Sequence, residues 1–149
     1  MDLAENLNTV KGYSHLLIVI CVLTDYVIIH PMKSKTSAEL AHIFMYSIFQ
    51  SFNIKRVHSD NGPAFRNKEW LKLMAALKIK VIDASANNPS SRGKAERTVQ
   101  QVKLIMKKIL ALASSKTLNW EFVPLFVSKA MNQTITPKTG FAPIEMVMG

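Results

Sequence analysis

The sequence predicts one mixed α/β domain in which a five-stranded sheet is flanked by helices. Short apolar runs with the length of strands alternate with longer segments whose apolar residues recur every three or four positions. The chain has 149 residues, which corresponds to one domain on the usual scale of about 100–200 residues. No repeat, low-complexity stretch or linker divides it, so we expect a single domain over residues 1–149.

Most of the predicted strands lie in the first half of the chain. Residues 16–23 form an apolar run that is short for a helix and typical of a buried strand. Residues 26–32 predict a second strand that pairs with the first as a hairpin. Shorter strands are predicted at residues 56–59 and 79–82, and an opening strand is expected around residues 2–6.

Helical periodicity is present in residues 38–52, 68–77, 94–112 and 120–132. Ser37 is the candidate N-cap of the first helix. The predicted core residues of the second helix are Trp70, Leu71, Met74 and Leu77. The predicted core residues of the third are Val99, Val102, Ile105, Met106 and Ile109.

The composition favours a polyanionic partner. Lys and Arg number 19 against 10 Asp and Glu, a net charge of +9, which favours nucleic acid first and an anionic membrane surface second. The single cysteine, Cys21, excludes an intrachain disulfide framework and a multi-cysteine zinc site. The longest apolar run has eight residues and no secretory signal is readable, so we expect a protein that is neither secreted nor membrane-embedded.

Two of the ten acidic residues are singled out by their positions. Asp60 directly follows the predicted strand 56–59 and opens the turn sequence DNGP. A carboxylate at the end of a buried strand is costly unless it is paired or binds a metal, and an Asx turn is the alternative of equal weight. Glu96 follows a polar loop at residues 83–93 and lies near the start of helix 94–112, where a favourable helix-dipole position is the alternative.

Three segments together carry a resemblance to a known family. They are VHSDNGPAF at residues 57–65, NPSSRGKAER at 88–97 and the tail NQTITPKTGFAPIEMVMG at 132–149, and 35 residues separate Asp60 from Glu96. In these features the chain resembles the catalytic core of retroviral and LTR-retrotransposon (gypsy-like) integrases of the D,D(35)E type. The resemblance implies a ribonuclease H-like fold with a truncated first strand. It also implies metal-dependent 3′-end processing and strand transfer of retroelement DNA into target DNA.

The catalytic and metal-binding carboxylates that the resemblance implies are Asp2, Asp60 and Glu96. The family places its first acid on the opening strand, upstream of an aromatic residue that Tyr26 matches, and Asp2 stands 24 residues before Tyr26. Glu5 and Asp25 are the alternatives for that first acid. By the same resemblance the three carboxylates bind two Mg²⁺ or Mn²⁺ ions, which prefer oxygen ligands and serve phosphoryl transfer.

A basic helix face is predicted beside Glu96. Residues 92–108 contain six basic residues and one acid. At helical spacing Lys103 and Lys107 fall on the side of Glu96, which suits contacts with DNA phosphates, and a solvated basic face is the alternative. The predicted DNA-binding residues are Asn88, Arg92, Lys94, Arg97, Gln100, Lys103 and Lys107.

By the same resemblance the expected partner is DNA, both the element ends and the target. Further copies of the chain are expected to form a homodimer or higher oligomer, and no membrane partner is expected. The site of action is expected to be the nucleus, after cytoplasmic particles. Four His and one Cys do not predict the zinc-binding module that precedes such cores, and no DNA-binding domain is expected after Gly149. Two alternatives stay open: a catalytically inactive, domesticated core that binds DNA or assembles, and a bacterial transposase with the same acid spacing.

Overall fold

A computed structural model of the chain describes residues 1–4, 12–83, 89–112 and 120–149. Within these ranges only the backbone is described for Asp2, Ala4, Pro89, Ser90, Ser91, Arg92, Lys94, Leu110, Leu112 and Trp120. None of the helices in the described ranges combines the length and the apolar character that crossing a bilayer requires.

The described residues contain five strands in a mixed arrangement, but as a three-stranded and a two-stranded sheet rather than the single five-stranded sheet that the sequence predicts. The strands are β1 (Asp2–Ala4), β2 (His15–Ile20), β3 (Val27–Met32), β4 (Arg56–Ser59) and β5 (Lys80–Asp83). Among the described residues, β1, β2 and β3 form an antiparallel sheet in that order, and β4 pairs in parallel with β5. The predicted hairpin is confirmed, since β2 and β3 pair over six residues.

The helices include the four that periodicity predicts. They are α1 (Ser37–Ile43) with a π-helical continuation (Phe44–Phe49), α2 (Pro63–Arg66), α3 (Lys68–Ala76), α4 (Pro89–Leu112), α5 (Val123–Gln133) after a 3₁₀ turn (Trp120–Phe122), and α6 (Pro143–Met148). The sequence does not predict α2 and α6, because elements of four and six residues are too short to show a period. The polar loop predicted at 83–93 is wrong from Pro89 onwards, because proline suits the first turn of a helix.

Two apolar cores lie on opposite faces of the strands. Leu17 of β2 belongs to the first core, with α1, α2 and α3, whereas Leu16 and Ile18 belong to the second, with α4 and α5. All three side chains are fully buried. Helices on both faces therefore explain why β2 is a continuous apolar run rather than an alternating one.

The predicted helix faces are confirmed with one exception. Trp70 and Met74 are buried in the first core, and Val102 and Met106 are buried in the second. The prediction for Leu71 is wrong: the side chain is 42% exposed. Positions 70 and 74 are one helical turn apart and define the inner face of α3, and position 71 is rotated away from it by about 100°.

The start of α1 is held by two side chains. The N-cap is Thr36 rather than Ser37, and its hydroxyl accepts a hydrogen bond from the Glu39 N–H at 3.3 Å. The Glu39 carboxylate reaches back to the end of β3, where it accepts from the N–H of Lys33 and of Ser34 at 2.8 Å and from the Ser34 hydroxyl at 2.6 Å. Partial burial raises the pKa of Glu39, but these hydrogen bonds and the Lys33 charge outweigh it and lower that pKa.

The free edge of β3 is covered by α5 through a buried amide. Asn132 Oδ1 accepts from the Val27 N–H, and Asn132 Nδ2 donates to the Val27 carbonyl, each at 2.8 Å. The Ser128 hydroxyl donates to the same carbonyl at 2.7 Å. Asn132 therefore replaces a neighbouring strand at the beginning of β3 and sets the position of α5 on the sheet.

Candidate active site

The start of β1 meets the last residues of β4 at the predicted site. The backbone nitrogen of Met1 donates a hydrogen bond to the carbonyl oxygen of His58 at 2.5 Å. Met1 and Leu3 pack against the first core. In β4, Val57 packs against the first core and half-buried His58 belongs to the opposite face, which at β1 is covered by α4.

Asp60 lies one residue beyond β4, and its carboxylate is exposed. Its Oδ1 accepts a hydrogen bond from the backbone N–H of Gly62 at 3.1 Å. The Asx-turn geometry offered as the alternative is thus present, and it fixes the carboxylate at the end of the strand. The burial cost expected for Asp60 from the sequence does not arise, because the residue faces solvent.

Gly62 leaves space next to that carboxylate. A β-carbon at this position would lie 3.0 Å from Asp60 Oδ1, closer than an ordinary contact. The backbone of Gly62 has φ −57° and ψ 146°, which any residue adopts. The glycine therefore serves the close approach of the Asp60 carboxylate and not an unusual backbone conformation, which is a different role from the backbone freedom usually assigned to glycine.

Arg66 connects the carboxyl ends of β4 and β5, a role that the sequence does not predict. Its Nε donates to Asn61 Oδ1 at 3.0 Å, and its guanidinium lies 3.9 Å from a carboxylate oxygen of Asp83. Asn61 follows Asp60, and Asp83 ends β5, so Arg66 ties the Asp60 loop to the end of the neighbouring strand. One arginine in a short helix carries no periodic signal in the sequence, and parallel pairing alone brings Asp83 beside it.

Glu96 is exposed on α4, two turns into the helix. Val102 and Met106 anchor α4 in the second core, so the opposite side of the helix faces solvent. The exposed polar residues of that helix include Arg97, Gln100, Lys103 and Lys107. Their exposure agrees with the predicted basic face. Asn88 lies outside the described residues, as do the side chains of Arg92 and Lys94, and contact with DNA stays a prediction for the whole set.

The donor set fits an oxygen-ligated divalent cation. Asp60 and Glu96 present exposed carboxylates, and a hard cation such as Mg²⁺ needs neither thiolate nor imidazole. Among the described side chains, no three His, Cys, Asp or Glu groups lie close enough to hold one metal ion. The carboxylate of Asp2 is outside that set, so the convergence of Asp2, Asp60 and Glu96 stays a prediction.

A family profile matches this chain. The profile described as the integrase core domain covers residues 1–89, which include the five described strands and the Asp60 turn. Among curated proteins, the Pro-Pol polyprotein of feline foamy virus is 29% identical over 150 residues, covering all of this chain and 12% of the polyprotein. The Gag-Pol polyprotein of feline leukemia virus is 28% identical over 150 residues, covering all of this chain and 9% of that polyprotein.

Solved structures give the fold. The catalytic core domain of HTLV-2 integrase, solved in complex with magnesium in a trimeric form, superposes with a TM-score of 0.78 at 20% identity. The superposition covers 97% of this chain and 92% of that one. The predicted ribonuclease H-like fold is therefore confirmed. The chain spans about a tenth of the length of the curated viral relatives.

Proposed function

Because the chain belongs to the integrase core domain family, we propose that it is the catalytic core of a DNA integrase that joins retroelement DNA to target DNA. The observation that carries the proposal is the placement of Asp60 at the exit of β4, on a strand hydrogen-bonded to the start of β1, with Glu96 exposed on the helix over that face. The proposed reactions are 3′-end processing and strand transfer. In both, an oxygen attacks a phosphodiester and another oxygen leaves in line.

Asp60 and Glu96, together with Asp2, are the residues that would hold two Mg²⁺ or Mn²⁺ ions. The chemistry that such ions supply is neutralisation of phosphate charge and activation of the attacking oxygen. The protein's own part is positioning. The Gly62 N–H orients the Asp60 carboxylate, Arg66 holds the Asn61 segment against β5, and the second core fixes the helix that carries Glu96.

The DNA backbone is proposed to follow the exposed side of α4. Lys103 lies seven residues, about two turns, beyond Glu96 and points to the same side of the helix. Exposed cations at this distance from the carboxylates can neutralise phosphates on either side of the scissile bond. Binding along α4 would carry no sequence information, because phosphate contacts position DNA without reading its bases.

The proposal is tested with the purified chain on a branched DNA substrate in Mn²⁺, scoring DNA strand joining and cleavage. Asp60→Asn and Glu96→Gln should each lower the rate by about 100-fold or more, since each removes charge stabilisation of the transition state. Glu69→Gln is the matched control, because Glu69 is an exposed acid on α3, a helix that packs against the first core. Wild-type activity in Asp60→Asn would refute the catalytic assignment.

Metal binding gives a second readout that does not need activity. Mn²⁺ should raise the melting temperature of the wild type more than that of Asp60→Asn, because a ligand that binds only the folded state stabilises it. Equal shifts in both proteins would contradict the carboxylate site. A wild type that binds DNA but neither joins nor cleaves it would support the inactive-core alternative. Self-association of the core and action in the nucleus remain part of the same proposal.

A further inference from the structure

A cluster of four cations lies at the other end of β4 and β5 from Asp60. It consists of Lys55, Arg56, Lys78 and Lys80, all of them exposed. We call it the β4–β5 basic cluster. In the sequence these residues are up to 25 positions apart, and the parallel pairing of β4 with β5 brings them together. Among the described residues, no carboxylate is recorded in an ion pair with any of the four.

The pairing places like charges side by side. Arg56 and Lys80 are partners in the parallel register, so their side chains leave the same face of the sheet. The Lys80 N–H donates to the Lys55 carbonyl at 3.0 Å, which brings a third cation to the same strand ends. Like charges on neighbouring strands repel each other and destabilise the sheet. This arrangement is therefore unfavourable for folding in the absence of an anion.

Lys78 occupies a backbone position that favours glycine. The N–H of Lys78 donates to the Ala75 carbonyl at 3.0 Å and the N–H of Ile79 to the Met74 carbonyl at 2.9 Å, the paired bonds of a Schellman C-cap at the end of α3. Lys78 has φ 56°, in the left-handed region, where a β-carbon is strained and glycine is usual. Two local rules of stability are thus broken within one cluster, and both exceptions add positive charge. Such coincidences mark functional surfaces.

We propose that the β4–β5 basic cluster is a second DNA-backbone contact surface, separate from the basic face of α4. This inference rests on the proposed function. Arg56 and Asp60 are four residues apart along an extended chain, about 13 Å at roughly 3.3 Å per residue. That distance corresponds to about four base-pair steps of B-DNA at 3.4 Å each. The cluster therefore lies within reach of the backbone of a duplex whose scissile phosphate is at Asp60.

The test uses Lys78→Gly in the whole chain, with DNA affinity measured on two unrelated duplexes between about 50 and 200 mM salt. We expect affinity to fall by about 3- to 10-fold for both duplexes and the salt slope to decrease by about 0.9, the value for one lost phosphate contact. The melting temperature should rise by about 2–5 °C, because glycine relieves the left-handed strain. Lost affinity with a raised melting temperature cannot be an effect of unfolding.

A double variant, Arg56→Gln with Lys80→Gln, should lose affinity further and reduce the salt slope by about 2. Lys129→Ala is the matched control, an exposed lysine on α5 that should leave both quantities unchanged. If Lys78→Gly and the double variant bind like the wild type while Lys103→Ala binds weakly, the inference is wrong and the proposed function stands. If affinity falls only together with the melting temperature, the inference is also wrong. If the wild type and all variants lack salt-dependent binding, the proposed function itself fails.

Discussion

At the β3 edge, Val27 is covered by the Asn132 side chain through two hydrogen bonds of 2.8 Å, and both residues are buried. At the exits of β4 and β5, Asp60, Asn61 and Arg66 make contacts of similar length while exposed to solvent. The first set of contacts excludes water from backbone groups and stabilises the fold. The second set leaves charged groups open to a ligand and contributes little to stability.

The difference between the two regions shows which contacts the folded state depends on. A buried donor or acceptor that loses its partner costs its full desolvation penalty, whereas an exposed one is satisfied by water. We therefore expect substitutions at the β3 edge to change stability and substitutions at the site to change activity. The following four experiments test that separation.

The largest effect on stability is expected from Asn132→Ala. It leaves the N–H of Val27 buried without its partner, and we expect a loss of about 2–4 kcal/mol in the free energy of unfolding. Urea denaturation measures it. Ser128→Ala removes one hydrogen bond to the Val27 carbonyl and should lower the free energy of unfolding by about 1 kcal/mol. It is the reference against which the loss in Asn132→Ala is compared. A loss below about 1 kcal/mol for Asn132→Ala would remove the contrast between the regions.

Gly62→Ala is expected to lower DNA-joining activity about 10-fold or more with little change in stability, because the new methyl group displaces Asp60 Oδ1. Its control is Gly140→Ala. Gly140 has φ 73° and open space around its α-carbon, so that change should cost about 1 kcal/mol of stability and leave activity intact. The reverse pattern, with stability lost at Gly62 and activity lost at Gly140, would show that the Asp60 turn is a structural element only.

Glu39→Gln tests the junction between β3 and α1 by its pH dependence. The folded-state pKa of Glu39 lies below its ordinary value of 4.5, so its stabilisation is complete above that value and is lost as pH falls through the lower folded-state pKa. The variant should therefore be less stable than the wild type at neutral pH, by about 1 kcal/mol or less, since the group is partly exposed. The two proteins should converge in acid. Glu69→Gln, the control, should not reproduce this convergence.

The smallest effect on stability is expected from Arg66→Lys. The contact with Asp83 is a long, exposed ion pair, and changing it should alter the free energy of unfolding by less than about 0.5 kcal/mol. Lysine keeps the charge but lacks the Nε–H that holds Asn61. We expect a measurable fall in joining rate, smaller than that of Gly62→Ala. An unchanged rate would show that Arg66 does not position the Asp60 loop.

The sequence predicts strands and long helices here because both cores need repeated apolar positions. It does not predict the π-helical segment, since Phe44 and Ile48 fit a continuous helix of residues 38–52 equally well. Short helices, the choice of Thr36 as N-cap and the role of Asn132 depend on tertiary contacts. Asn132 in particular has a single partner residue in β3, 105 positions away.

The candidate site likewise combines residues that the sequence predicts with contacts that it does not predict. Asp60 and Glu96 can be found from motifs and their spacing, and the structure places both in solvent where a ligand can reach them. Gly62 is contained in the same motif, but its contact with Asp60 Oδ1 is visible only in three dimensions. The β4–β5 basic cluster has no linear signature at all, because its members meet only through parallel pairing. Asp2 stays a prediction.

The link between Met1 and His58 has a mechanical consequence. It is a backbone hydrogen bond between the residue before β1 and the third residue of β4. Leu17 and Met32 of the antiparallel sheet share the first core with Val57 of β4, so this bond adds a main-chain link between strands that already pack on one core. A ligand held by groups on both β1 and β4 would stabilise that link. Amide exchange along β1 and β4 should slow together when that ligand binds, and slowing in only one of the two strands would contradict a ligand shared between them.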